Sequence, residues 1–327
     1  MGRGSGWGEA PLGGVSVGER DWISKYFRPL AVSPGADGLN DDVAELSSDG
    51  RRTVINADAL VESVHFLSSD PIETIARKLV RTNVSDIIAK GARPHEGLLT
   101  LGWPKDRDEA QLARFAAALG EELGLWGARL IGGDTTASPN GLFLSLTLTG
   151  LCGRNGPIRR SGAQAGDDLW VTGEIGAACR GFRALQAGQA ESLWVSAYRE
   201  PELAPLSIIE LVQAYARAAM DVSDGLLGDA RTLSAASACA LNIDLGAVPF
   251  AGGADSLEER LALATWGDDY QVLFAARATV ADQLGKDAAE LGIGITRIGR
   301  FTAGAGLSAH LGGISVNLPE TMGFEHG

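Results

Sequence analysis

Leu130-Ile131-Gly132-Gly133-Asp134-Thr135-Thr136 runs from two apolar residues through paired glycines to a carboxylate and two hydroxyls. The apolar residues predict the end of a buried strand. The glycines predict a turn in which backbone N–H groups can approach a ligand closely, because no Cβ intervenes. An aspartate directly after them offers oxygen ligands to a hard cation. The stretch therefore indicates either a phosphate and magnesium site at a strand's carboxyl end, or a tight turn capped by Asp134 and its neighbouring threonines.

Strands and helices alternate on both sides of this stretch. Hydrophobic periodicity and Pro/Gly signals predict helices at 19–30, 71–90, 108–124, 205–218, 226–237 and 280–291 and one ending near 189. They predict strands at 53–58, 98–103, 128–131, 144–149, 168–172, 241–245, 271–275 and 293–298, one ending near Asp221, and a hairpin at 306–316. The segment 153–166 contains Pro157 and several glycines, and the pattern restarts after it. The expected fold class is α/β (mixed α+β), with two domains at 1–152 and 153–327.

Composition excludes several functional classes. The 327 residues carry a formal net charge of −13, which argues against nucleic acid and anionic membrane surfaces as partners because both require a basic footprint. No segment approaches the roughly 20 apolar residues of a membrane helix, and the N-terminal residues have no apolar run typical of a signal peptide. The cysteines Cys152, Cys179 and Cys239 are widely spaced, which indicates free thiols in a reducing cytoplasm.

Acidic residues recur where predicted strands begin or end. They form six stretches: Asp41-Asp42, Asp58, Asp86, Asp134, Asp221 with Asp224, and Asp268-Asp269. Each one alone is a weak signal, but six that converge would repel one another severely unless cations neutralised them. Oxygen ligands without a Cys or His cluster favour Mg²⁺ over zinc. Since there is neither a Walker A motif nor a GxGxxG fingerprint, the pattern indicates phosphoryl transfer that uses another nucleotide-binding device.

Three polar sites keep a purely structural alternative at this stage. Asn83-Val84-Ser85-Asp86 interrupts the apolar pattern of the helix at 71–90 with poor helix formers, so it indicates either a ligand site or a buried contact with a neighbouring loop. Ser223 or Asp224 could cap the helix that follows. A lone histidine such as His65 is more often structural than functional.

The same residues carry a family resemblance. The chain resembles thiamine-monophosphate kinases of the PurM-like ATP-binding superfamily, and the matches extend from about Glu19 to Phe324. The matching motifs are Asn40-Asp41-Asp42-Val43-Ala44, Asp58 to Phe66 with His65, Asn83 to Asp86 followed by Gly91 to Pro94, Gly132 to Thr136, Arg160 to Asp167, Asp221 to Leu226, and Gly267-Asp268-Asp269-Tyr270. The departures are Asn40 for a usual glycine, Asn56-Ala57 for a Ser/Thr pair, Ala137 for arginine and Asp268 for glutamate.

The resemblance implies transfer of the γ-phosphoryl group of ATP to thiamine monophosphate, in a two-domain PurM-like homodimer whose N-terminal sheet pairs the subunits. It implies several Mg²⁺ ions held by Asp41, Asn56, Ala57, Asp58, Asp86, Asp134, Asp221 and Asp224. It places Gly133, Arg160 and Ser223 on the nucleotide, and His65, Asp268 and Phe324 on the thiamine side. The alternating strand at 144–149 is compatible with a sheet shared between subunits but does not require one.

The chemistry needs no general base, because the acceptor phosphate oxygen is already ionised near neutral pH. The aspartates are therefore expected to hold metal, since the barrier is repulsion between two polyanions. Two alternatives remain open: another ATP-dependent enzyme of the PurM-like superfamily, or an inactive nucleotide- or Mg²⁺-binding module.

Overall fold

The computed structural model of the chain describes residues 23–33 and 52–324. Its strands are β1 (Thr53–Val61), β2 (Ala92–Pro104), β3 (Arg129–Ser138), β4 (Phe143–Cys152), β5 (Asp167–Thr172), β6 (Ala216–Asp221), β7 (Ala240–Asp244), β8 (Val272–Arg277), β9 (Ile295–Thr302), β10 (Leu307–Leu311) and β11 (Ile314–Val316). Its α-helices are α1 (Ile72–Ala89), α2 (Glu109–Leu125), α3 (Ala177–Gln186), α4 (Val195–Arg199), α5 (Ile208–Tyr215), α6 (Leu226–Ala236), α7 (Leu257–Ala264) and α8 (Ala281–Glu290).

Two sheets divide these strands between the two halves of the chain. The first has the order β1-β4-β2-β3, with β4 antiparallel to both neighbours and β3 parallel to β2. The second has the order β11-β10-β7-β9-β5-β8-β6 and is mixed. In the first sheet, β1 and β3 form the two outer edges. The expected mixed α/β class is confirmed.

Helix α1 connects the two halves. It follows Pro71, which suits a first helical turn, and packs on β1, β2 and β4 of the first sheet. Its other contacts include β6 and β8 of the second sheet, and one apolar core runs through both halves around it. The run 83–86 lies inside this unbroken helix, in agreement with the single helix expected at 71–90, and tertiary partners satisfy its polar groups although its residues are poor helix formers.

The stretch 130–136 is not a turn. Strand β3 continues through both glycines to Ser138, so the expected end of the strand at Ile131 is wrong. A Cβ on Gly133 would lie 1.9 Å from the carbonyl oxygen of Leu99 on β2. A glycine at this position therefore allows two neighbouring strands to approach closely at an irregular register, whether or not a ligand is present.

Two further boundaries differ from expectation. The helix expected at 205–218 ends at Tyr215, and the residues that follow enter edge strand β6, where pairing with β8 outweighs their helical preference. Of the helix expected at 19–30, residues Ile23–Phe27 form one π-helical turn and Arg28–Leu30 a 3₁₀ turn. None of the helices in the two described ranges is both long and apolar enough to cross a membrane.

Candidate active site

One cavity of about 680 Å³ is lined by residues from both halves of the chain. It collects nine of the residues expected at the site: Asp58, His65, Asp86, Arg160, Asp221, Ser223, Asp224, Asp268 and Phe324. Asn56 lies beside this group and contacts Asp86, whereas Ala57 is exposed on β1. Asp41 and the adjacent Asp42 fall outside the described residues.

The polar run on α1 holds two strands against the helix. The Asp58 N–H donates to Asn83 Oδ1 at 3.2 Å, and the Ser85 hydroxyl donates to Asp221 Oδ2 at 2.8 Å. Asn56 Nδ2 donates to Asp86 Oδ2 at 3.0 Å. The structural interpretation of this run is confirmed, because its side chains make contacts that place three carboxylates around one cavity, while its role as a ligand site stays a prediction.

Two acidic loops are fixed to each other through their backbones. The N–H of Asp268 donates to Ser223 O at 2.8 Å, and the N–H of Tyr270 donates to Val222 O at 2.7 Å. Gly267, at φ +93°, allows this approach, because a Cβ there would lie 2.5 Å from Ser223 O. The loop after β6 and the loop before β8 therefore form one wall of the cavity.

Neither Ser223 nor Asp224 is the N-cap residue of α6, because that position is occupied by Gly225. Instead Asp229 folds back and accepts from the N–H groups of Asp224 and Gly225 at 3.1 and 3.2 Å. The expectation that Ser223 or Asp224 is the capping residue is therefore wrong in position, and the Asp229 carboxylate accepts from the backbone N–H groups at this end of the helix.

Burial and electrostatic repulsion both act on the carboxylates at the end of the cavity near β1. Burial raises the pKa of Asp58 to about 6, with added repulsion from Asp86 and Asp224. Burial also raises the pKa of Asp221 well above its ordinary value, again with repulsion from Asp86. In the described ranges, Lys or Arg ion pairs form with Asp70, Asp167, Asp168 and Asp268 but with none of Asp58, Asp86 and Asp221.

These residues fit Mg²⁺. Within the described part of the chain, no three His, Cys, Asp or Glu side chains are grouped tightly enough to enclose a metal by themselves. Mg²⁺ seldom uses such cages, since it retains waters and binds one or two carboxylates together with substrate phosphates. Asn56 Oδ1 is buried and has no hydrogen-bond partner among the residues that the structure describes, which leaves an oxygen ligand beside Asp86. Mutually repelling carboxylates and an unsatisfied oxygen form a suitable donor set for a hard cation.

The opposite end of the cavity is aromatic and contains a compensated carboxylate. The ring of Phe182 lies 5.0 Å from that of Trp266 and 5.4 Å from that of Tyr198, measured between centroids. The Asp268 carboxylate accepts hydrogen bonds from the Tyr270 hydroxyl at 2.9 Å and from the Lys78 ammonium at 2.7 Å. This end therefore offers flat apolar faces around a carboxylate that already has a counter-charge.

His65 lies at the aromatic end in a defined tautomer. Its Nδ1 accepts a hydrogen bond from the Val61 N–H at 3.0 Å, so a neutral ring carries its proton on Nε2. The loop after β1 thus presents the ring as a hydrogen-bond donor on the cavity wall.

Sequence reasoning did not identify the aromatic side chains or Lys78. Phe182, Tyr198 and Trp266 come from three separate segments of the second half of the chain, and no pattern connects them. Lys78 did leave a signal, because it lies three residues after Ile75 on the buried face of α1, where a lysine is unexpected.

Gly133 and Asp134 do not line the cavity. Asp58 pairs with Leu146, Leu146 with Leu99, and Leu99 with Gly133 across the four strands. Three strand spacings separate the Asp58 position from the Gly133 position, which is about 14 Å along the sheet. These two predicted site residues therefore lie on the opposite edge strand from Asp58.

A second cavity, of about 460 Å³, adjoins the first and shares Asp86 and Arg160 with it. Its remaining wall is largely apolar: Val54, Ile55, Ile87, Pro157 and Ile158. Lys90 also lines it, and burial together with nearby Arg160 lowers the lysine pKa to about 8.

Comparisons with known proteins identify the family of the chain. Models described as AIR synthase related protein match residues 40–152 (N-terminal domain) and 164–312 (C-terminal domain). A thiamine-monophosphate kinase of Caulobacter vibrioides is 38% identical, covering 94% of this chain and 91% of that protein. The structure of a thiamine-monophosphate kinase from Stenotrophomonas maltophilia K279a aligns with a TM-score of 0.77 at 33% identity, covering 85% of this chain and 91% of that chain.

A structure described as AaThiL complexed with AMPPCP and TMP aligns with a TM-score of 0.73 at 26% identity, covering 98% of this chain and all of that one. Identity of 38% over nearly the full length of both chains, together with the shared two-domain fold, settles the family. The chain belongs to the thiamine-monophosphate kinase family, within the PurM-like superfamily.

Proposed function

We propose that this chain phosphorylates thiamine monophosphate with ATP, giving thiamine diphosphate and ADP. The observation that carries the proposal is the division of one cavity into two ends. Asp58, Asp86 and Asp221, which form no Lys or Arg ion pair within the described residues, lie at one end, and aromatic faces with a compensated carboxylate lie at the other. An ATP-dependent kinase needs an acidic end to hold metal ions and phosphates, and a thiamine substrate needs aromatic faces to bind its rings.

The acidic end suits in-line phosphoryl transfer assisted by several Mg²⁺ ions. Asp58, Asp86, Asp221 and Asp224 would hold the ions, with Asn56 beside them. Bound Mg²⁺ would neutralise the repulsion between the two phosphate groups and the carboxylates. The chain's own contribution is positional, since Asn83 and Ser85 fix the backbone of Asp58 and the carboxylate of Asp221. No side chain needs to act as a general base, because the acceptor oxygen is already ionised.

The aromatic end suits the thiamine portion of the acceptor. Thiamine contains a cationic thiazolium ring and a flat aminopyrimidine, and both can lie against aromatic faces. Phe182, Tyr198 and Trp266 supply such faces, and exposed Phe324 lies at the rim. Asp268 supplies a hydrogen-bond acceptor, and the neutral His65 ring carries a donor on Nε2.

The nucleotide would lie between the acidic end and the adjoining apolar cavity. Arg160 lines both cavities, so it can contact phosphates while the base occupies the apolar wall. Ser223 lies on the loop that faces the same region. Placing a carboxylate in the apolar cavity, as in Ile158→Glu, should raise the KM for ATP and leave the KM for thiamine monophosphate within about twofold.

Gly133 and Asp134 would complete the site from a second copy of the chain. They lie on one outer edge of the first sheet, while Asp58 lies on the other. In a two-fold dimer that joins these edges, Asp134 of each subunit would approach Asp58 of its partner. We therefore propose a homodimer with two shared sites.

The proposed domain boundaries are 1–152 and 153–327, and the two sheets lie wholly on either side of residue 153. The proposed compartment is the cytoplasm. Its support is that Cys152, Cys179 and Cys239 are all unpaired.

The function is tested by measuring ADP release from ATP and Mg²⁺ with and without thiamine monophosphate. A saturable increase with the acceptor, accompanied by thiamine diphosphate, is expected. An enzyme that releases ADP at the same rate without the acceptor would instead be another ATP-dependent member of the superfamily. Nucleotide binding without any turnover would identify an inactive binding module.

The shared site is tested by mixing two inactive variants, Asp58→Asn and Asp134→Asn. With random reassociation, half of the dimers contain one of each, and one of their two sites is intact, so about a quarter of wild-type activity should return. If both residues act within one subunit, mixing restores nothing, and the shared-site model is wrong.

A further inference from the structure

Lys78 is a buried cation whose partners all belong to the cavity wall. Its side chain points from α1 toward the second half of the chain, and the residue is only 1% exposed. The ammonium donates to Asp268 Oδ2 at 2.7 Å and to the carbonyl oxygen of His65 at 2.9 Å. It also lies 4.6 Å from the centroid of the Tyr198 ring. One side chain therefore joins three wall residues that come from three different segments.

Stability alone does not explain a lysine at this position. Burying an ion pair removes two charges from water, and a well-packed apolar residue of similar size is often as stable or more so. The neighbouring α1 residues Ile75 and Leu79 are apolar and fully buried, so an apolar side chain at 78 would continue the core. The charge is retained where its partner, the Asp268 carboxylate, is partly exposed to the cavity.

The backbone near Asp268 indicates that its orientation must be imposed by contacts. Asp268 has φ +59° and Tyr270 has φ +51°, which are unfavourable for residues with a Cβ. The carboxylate is held on both sides, with the Tyr270 hydroxyl on Oδ1 and the Lys78 ammonium on Oδ2. Each carboxylate oxygen can accept a further hydrogen bond, so the held group still has capacity for a ligand.

We propose that Lys78 is a positioning residue for the acceptor substrate: it orients the Asp268 carboxylate and fixes the His65 loop and Tyr198 beside it. This inference rests on the proposed function, because it assigns a task on the thiamine side of the same site. Lys78 also distinguishes Asp268 from the metal-holding acids, because its ammonium group already balances the negative charge of the Asp268 carboxylate. Asp268 is thereby kept as a hydrogen-bond acceptor for the aminopyrimidine or thiazolium portion of the substrate.

The test replaces Lys78 with methionine, which keeps the length of the side chain and removes the charge. The KM for thiamine monophosphate should rise about tenfold or more, while the KM for ATP and the Mg²⁺ dependence stay within about twofold. Lys78→Arg, which keeps the charge, should recover part of the loss. A purely structural role would lower the active fraction, and hence kcat, without changing the KM for the acceptor.

The matched control is Arg81→Met, one turn further along α1. Arg81 binds Glu122 at 2.7 Å and the carbonyl of Glu200 at 3.0 Å, so its loss removes an interhelical contact without touching Asp268. Thermal stability should fall in this variant while the KM for the acceptor stays near that of the wild type. An acceptor KM raised equally in both variants would overturn the proposal.

A double-mutant cycle shows whether Lys78 acts through Asp268. The variant Lys78→Met/Asp268→Asn leaves no unpaired buried charge, so it remains informative even where Lys78→Met folds poorly. Its acceptor KM should equal that of Asp268→Asn alone. Multiplied effects, or an unchanged KM in Lys78→Met, would contradict the inference. Failure of the proposed function is separate, because it would appear as a wild-type enzyme that thiamine monophosphate does not stimulate.

Discussion

The two ends of the cavity handle negative charge in opposite ways. At the aromatic end, Asp268 has a buried lysine and a tyrosine hydroxyl as partners. At the acidic end, Asp58 and Asp221 lie near Asp86 without any Lys or Arg ion pair to a described residue, and burial, with added repulsion, raises their pKa values. The protein itself supplies the counter-charge for Asp268, whereas no described Lys or Arg forms an ion pair with Asp58, Asp86 or Asp221.

We propose that this difference separates the sites of the two substrates. A phosphate donor binds together with its metal ions. The protein carboxylates that hold those ions must therefore have no protein cation as a partner. An acceptor recognised through its rings gains from a rigid, preorganised wall that needs no added ion. The following predictions test the contrast, from the largest expected effect to the smallest.

Asp58→Asn should have the largest effect, lowering kcat about 10³-fold because it removes a metal-holding group that acts on the transition state. The KM for thiamine monophosphate should change little, since the aromatic end is intact. Circular dichroism provides the control for folding. A rate near that of the wild type at saturating Mg²⁺ would show that this carboxylate does not hold metal.

Asp268→Asn should show the reverse pattern. The KM for thiamine monophosphate is expected to rise about ten- to thirtyfold, because the carboxylate becomes an amide and Lys78 loses its counter-charge. The Mg²⁺ concentration that gives half-maximal rate should not change. If that concentration shifts strongly, Asp268 belongs to the metal-holding set and the two ends are not separate.

Trp266→Leu should have a smaller effect on the same end. Loss of one aromatic face should raise the KM for thiamine monophosphate roughly three- to tenfold and leave the KM for ATP unchanged. Trp194 offers a matched control, because it is a tryptophan that does not line this cavity. Equal effects from Trp194→Leu would show that the change acts through stability and not through contact with the ring.

The acidic end also predicts a small dependence of stability on pH without metal. The Asp58 pKa is raised from 3.8 to about 6, so the folded state binds this proton more tightly than the unfolded chain does. The free energy of unfolding should therefore fall as pH rises from about 4 to 6 and stay lower above that range. Asp58→Asn in a chelator should be more stable than the wild type at pH 7.5 by roughly 1 kcal/mol, allowing for solvent screening.

The measurement is thermal unfolding of both proteins at pH 4 and pH 7.5, with chelator or with Mg²⁺. Wild-type protein should gain stability from Mg²⁺ at pH 7.5, and Asp58→Asn should gain less. An Asp58→Asn variant that is less stable than the wild type in chelator at pH 7.5 would show that the repulsion assigned to this site is absent.

Much of this organisation could be predicted from the sequence. Apolar periodicity located α1 between Pro71 and Lys90 and most of the strands, because these signals act over a few neighbouring residues. Acidic residues at strand ends indicated a shared cavity, and the structure brings Asp58, Asp86, Asp221 and Asp224 to one. The boundaries failed where long-range pairing overrode local preference, as in edge strand β6.

Other parts of the site could not be predicted because they depend on distant contacts. The aromatic faces come from α3, α4 and the segment before β8, which meet only in the folded chain. The importance of Lys78 follows from its contact with Asp268, 190 positions later. Side chains that are far apart in sequence carry no shared periodicity, so a single sequence does not reveal that they meet.

The sequence alone determined the mixed α/β class, the acidic character of the site and its suitability for Mg²⁺, because residue type and local spacing set these properties. Only the tertiary structure decided that Gly132 to Thr136 lies within a strand rather than a turn, since the contact with the Leu99 carbonyl comes from a neighbouring strand. It also decided which carboxylates receive a cation from the protein. That choice depends on distances between elements that only the packing of α1 against both sheets defines.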